Sequence, residues 1–111
     1  EDARVMFTRA EPLCRAALAD RPDDSATAAT YGWVLFRLGR NEESLATLTR
    51  ASALESPSPV AACYLGHVLH KMGLDADARE RFTTCLATDP EVPERSRIEA
   101  WLAATGPTPS E

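Results

Sequence analysis

The stretch YGWVLFRLG at residues 31–39 returns, altered but recognisable, as LGHVLHKMG at residues 65–73. Gly32 and Gly66 stand 34 residues apart (66 − 32), and so do Gly39 and Gly73 (73 − 39). The chain has only five glycines in 111 residues, so two pairs at one offset mark a repeat. The same offset pairs Ala28 with Ala62, Val34 with Val68, Leu35 with Leu69 and Ala53 with Ala87. One step further back it links Ala10 to Ser44 and Ala78, Ala17 to Ala51 and Cys85, and Pro22 to Ser56 and Pro90. A fixed period of this size means stacked supersecondary units, none of which buries its apolar face alone.

Apolar spacing makes each unit a pair of helices. Ala28, Tyr31, Leu35 and Leu38 recur at three- and four-residue steps, one stripe along one helix face. Gly39 follows where a left-handed C-terminal cap excludes most side chains. Asn41 is then expected to cap the next helix, with Glu42 and Glu43 complementing its positive end. That helix carries Leu45, Leu48 and Leu54 and stops at Ser56-Pro57-Ser58-Pro59. In the second unit Ser58 is the expected cap, Pro59 suits a first turn, Gly73 ends the helix and Asp75 caps its partner. The inward set is Ala28, Tyr31, Gly32, Leu35 and Leu38, then Ala62, Leu65, Gly66, Leu69 and Met72, with Leu48 and Phe82 filling the space between units.

These residues resemble the tetratricopeptide repeat. Leu65-Gly66, Gly73, Ala78, Phe82 and Pro90 fall at that family's leucine-glycine, alanine, phenylalanine and proline spacing. The unit at 25–58 fits more loosely, with Tyr31 for the leucine and Ser44 for the alanine, and Ala28 and Ala62 replace the leading tryptophan. The resemblance implies an all-α, antiparallel helix-pair solenoid, a right-handed superhelix whose first helices line the concave face. About two full repeats are expected, at 25–58 and 59–92. Residues 1–22 read as the second helix of an incomplete repeat, 93–105 as a capping helix opened by Pro93, and 106–111 as a flexible tail. The helix at 2–20 contains Pro12, a point for a bend or a later start. Its Phe7, Ala10 and Leu13 are expected to be uncovered, which makes it a candidate homodimer face. The chain is read as the C-terminal end of an array from a longer protein.

A net charge of −5 and a pI near 5.0 argue against nucleic acid, whose phosphates need a basic footprint. No apolar run reaches the length of a membrane span, so membrane insertion is not expected. Cys14, Cys63 and Cys85 are an odd count without short pairing, which favours buried small hydrophobes over a disulfide framework. That points to the cytoplasm, with a periplasmic setting left open because the chain starts at Glu1 rather than Met. There is no phosphate loop, nucleophile elbow or dinucleotide fingerprint, nothing calls for a cofactor, and no enzyme is expected.

Removing the inward set leaves a second stripe on each first helix. It contains Ala29, Thr30, Trp33, Phe36 and Arg37, then Cys63, Tyr64, His67, His70 and Lys71. Trp33, Phe36, Arg37, Tyr64, His67, His70 and Lys71 are the candidate partner-binding residues, since exposed aromatics mark contact surfaces. Some relatives clamp an acidic peptide terminus with lysine, asparagine and arginine. The corresponding places here hold Ala29, Trp33, Thr30, Val60 and Tyr64, so that clamp is missing. Cys63, His67 and His70 at i, i+4 and i+7 are a metal alternative on one helix face. The leading expectation is a protein- or peptide-binding scaffold or adaptor of bacterial style. The alternatives are a substrate-recruiting or regulatory domain of a larger enzyme and a metal-binding element.

Overall fold

The computed structural model describes residues 3–104, and the tail expected at 106–111 lies outside them. Six helices follow in order: α1 (Ala3–Asp20), α2 (Ser25–Arg37), α3 (Asn41–Ala53), α4 (Pro59–Lys71), α5 (Asp75–Thr88) and α6 (Arg95–Ala104). There is no strand among the described residues. Each helix packs on its successor, and α2 also packs on α4, the layering of a helical-repeat solenoid. Helix α1 runs unbroken through Pro12.

The two short connections are built alike. Gly39 and Gly73 take φ of +82° and +80°, outside the range most L-residues tolerate. The Arg40 amide donates to the Leu35 carbonyl and the Leu74 amide to that of Leu69, both at 2.9 Å, the outer bond of a Schellman cap. This tight turn starts the next helix at once. Asn41 and Asp75, expected as caps, are therefore the first helical residues, and Arg40 and Leu74 occupy the cap positions without a capping side-chain bond. Ser58 does occupy the cap position of α4, but its side chain bonds nothing there. Its amide instead donates to Ser25 Oγ at 2.7 Å, while the Ser25 hydroxyl donates to the Ala51 carbonyl at 3.0 Å. One buried hydroxyl thereby ties three elements together.

Close approach of paired helices depends on Gly32 and Gly66. A Cβ on Gly32 would lie 2.5 Å from Leu48 Cγ, and one on Gly66 2.8 Å from Phe82 Cδ1. Ser44, at the family's alanine position, is fully buried with its hydroxyl donating to the Gly32 carbonyl at 2.6 Å. Leu48, Ala51, Leu65, Ala78 and Phe82 are buried as expected.

Several positions depart from the single-stripe reading. Tyr31, Leu38 and Met72 are only half-buried, and the Tyr31 hydroxyl donates to Glu11 Oε2 at 3.1 Å. Glu11 is itself buried at 8% exposure, held by Arg15 and Arg40, so the α1–α2 joint is polar. Ala29 and Cys63, expected on the exposed stripe, are buried, as are Val34, Ala61 and Val68. The reason is that α2 packs against α1, α3 and α4, and α4 against α2, α3 and α5, which on each helix buries an arc wider than one stripe. On α1, Leu13 is 73% and Met6 58% exposed, whereas Phe7 and Ala10 are half-covered.

The cysteine expectation needs correcting. Cys63 and Cys85 form a disulfide joining α4 to α5, with Cα atoms 4.8 Å apart, and only Cys14 is free. Their separation of 22 residues spans the helix hairpin of one repeat, so folding brings both to the same level of the stack. Sequence spacing suited only to metal or redox pairs gave no sign of this.

Candidate interaction groove

Trp33, His67 and Trp101 stand at one repeat position (67 − 33 and 101 − 67 are both 34), on α2, α4 and α6. They build a row of rings across the stack. Trp33 stacks on Tyr64 with centroids 4.6 Å apart and meets His67 edge-on at 5.8 Å. Phe82, from α5, reaches up between the first helices because Gly66 has no side chain to block it. It touches His67 at 5.0 Å and Trp101 at 5.3 Å, both edge to face. His70 closes the far side against Trp101 at 4.9 Å.

The row forms one side of a cavity of about 720 Å³, lined by Trp33, Arg37, Tyr64, His67, His70, Phe82, Glu94, Arg97, Ile98 and Trp101. Five of the seven expected binding residues are there. Phe36 instead packs against the core, and exposed Lys71 stands outside the lining. The structure adds Phe82 from α5, Glu94 just ahead of α6, and Arg97, Ile98 and Trp101, which make α6 a wall of the groove rather than only a cover for the stack. Trp101 stands one 34-residue step beyond His67, and it both lines the cavity and packs against the core.

Trp33 is half-buried yet lies outside the buried core cluster, whereas Phe36, Tyr64 and Trp101 all pack against it. Arg37 places its guanidinium 5.0 Å from the Phe7 ring centre and 5.9 Å from that of Trp33. Burial holds the His67 imidazole below its ordinary pKa, while Glu94, whose carboxylate oxygen lies 3.8 Å from Nε2, pulls the other way. Burial prevails, so His67 is neutral at pH 7 and its contact with Glu94 is not an ion pair. Burial, helped by Glu94, also raises the Tyr64 pKa, so its hydroxyl keeps its proton and can donate.

The metal alternative meets a direct obstacle. The Cys63 sulfur is bonded to Cys85 and cannot act as a thiolate. His67 turns to Glu94, and His70 Nδ1 lies 3.0 Å from Asp75 Oδ1. Among the described residues no three or more His, Cys, Asp or Glu side chains are arranged to hold an ion. No helix among them is long and apolar enough to cross a membrane.

A profile described as tetratricopeptide repeat matches residues 6–62, just over half of the chain. The match runs from α1 into α4 and so includes the unit whose residues fit the pattern more loosely. No curated protein matches the chain.

Proposed function

The chain belongs to the tetratricopeptide-repeat family, whose members mediate protein–protein interaction, and from that premise we propose that it holds a helix or extended segment of a protein partner in the groove between α2, α4 and α6. The observation that carries this reading is Trp33. It is a large apolar side chain left outside the core cluster, and it lines the cavity together with the rings of Tyr64, His67, His70, Phe82 and Trp101. A buried aromatic anchor supplies a large share of an interface's energy. The family is typically non-catalytic, and scaffold or adaptor is the role proposed here. The Cys63–Cys85 bond favours an oxidising compartment as its setting over the cytoplasm, since such bonds persist where thiols are not kept reduced. The test is to isolate a partner with the intact chain and to measure its affinity for wild-type and Trp33→Ala protein. Loss of binding in a variant that remains folded supports the groove, whereas unchanged affinity rejects it.

A further inference from the structure

The groove's charge is opposite to that of the chain. The protein carries a net −5, with 17 acidic residues against 12 basic ones. Arg15, Arg21, Arg40 and Arg95 each have a carboxylate within 4.0 Å. Arg37 and Arg97, which line the cavity from α2 and α6, have none among the described residues, and the same holds for Arg50, Lys71 and Arg81 outside that lining. Helix polarity accounts for part of this, because Arg37 and Lys71 sit in last turns where a cation complements the carbonyl end. It does not account for Arg97, which lies near the start of α6. The acidic lining residue, Glu94, is turned to His67. The lining thus sets two guanidinium groups, from α2 and α6, against the single carboxylate of Glu94, and an acidic protein leaves its aromatic cavity with an excess of positive charge.

We infer that the occupant is an acidic peptide segment of a partner protein, with one large apolar side chain entering the cavity between Trp33 and Trp101 and a carboxylate on each side of it, one for Arg37 and one for Arg97. The inference rests on the groove reading above and adds the partner's chemistry. Guanidinium groups suit this task because their planar donors meet a carboxylate at two points. Carboxylates alone would be screened at the rim, and an apolar anchor alone would not discriminate among partners. Together they select a segment in which acidic residues bracket an aromatic or long aliphatic one. The terminal-carboxylate clamp known for other repeats uses positions that hold Ala29, Thr30, Trp33, Val60 and Tyr64 here, so the carboxylates meant are side chains within a segment.

Fluorescein-labelled peptides with a central phenylalanine test this. One carries two Glu-Asp pairs around the ring, a second replaces these by Gln-Asn, and a third keeps the acids and replaces phenylalanine by alanine. The expected result is that the first binds about tenfold tighter than either other at low ionic strength, with the advantage over Gln-Asn shrinking in high salt. Arg97→Gln and Arg37→Gln should each remove much of that advantage, Arg97→Lys should restore part of it, and circular dichroism should show all variants folded. Equal binding of the acidic and Gln-Asn peptides, lost in Trp33→Ala, overturns the acidic partner while the groove stands. Acidic-peptide binding that ignores both Trp33→Ala and Arg97→Gln overturns both readings. No binding by any of the three overturns the acidic partner.

Discussion

Gly66 and Phe82 are coupled by what one of them lacks. A methyl group at Gly66 would lie 2.8 Å from the Phe82 ring, so the bare glycine lets that ring pass between the first helices and become the groove floor. The residue pair that closes the second repeat thus also shapes the cavity.

Gly66→Ala should therefore act twice. Pushing the Phe82 ring aside should cost about 1–3 kcal/mol of stability, the usual range for overpacking, read by urea denaturation. It should also weaken partner binding in the folded fraction. Gly32→Ala crowds Leu48 instead, which does not line the cavity, and should lower stability alone.

The disulfide gives a second expectation. Closing the loop between Cys63 and Cys85 should contribute about 3 kcal/mol through restriction of the unfolded chain. The Cys63→Ala/Cys85→Ala double variant should melt several degrees lower, and reductant should lower the wild-type but not the variant melting temperature. Ellman titration of denatured, unreduced protein should find one thiol, that of Cys14. Three thiols in protein prepared under oxidising conditions would refute the bond.

Stability should fall as the solution is acidified from neutral. His67 has a folded pKa below its unfolded value of 6.5 because burial disfavours the charged form. The unfolded chain then binds more protons between those two values, and protons favour unfolding. The contribution is complete above the unfolded pKa and is lost progressively as pH drops through 6.5 towards the folded value. His67→Gln should flatten the melting temperature in that window. A wild-type profile no steeper than that of the variant would contradict the buried, neutral imidazole.

The stack was largely legible in the residues, and the groove only in half. Gly39 and Gly73 mark both hairpins because only glycine relaxes at their positive φ, and the 34-residue period orders the helices. Ala29, Val34 and Val68 were not legible as core, because a helix covered from three directions buries residues that a single stripe leaves outside. Phe82 was read as core, which it is, but its second role depends on the empty space above Gly66. The Cys63–Cys85 contact depends on the register between α4 and α5, which apolar spacing does not set to within one residue.

Groove recognition stands on Trp33, and calorimetric titration of an isolated partner into wild-type and Trp33→Ala protein tests it most directly. The expected result is a loss of at least ~30-fold in affinity, equivalent to about 2 kcal/mol, in a variant that stays folded with a modestly lower melting temperature, since Trp33 lies outside the core cluster but gives up its ring contacts with Phe36, Tyr64 and His67. A variant that unfolds, while its folded fraction binds the partner as tightly as wild type, would make Trp33 a structural residue and place the working surface elsewhere.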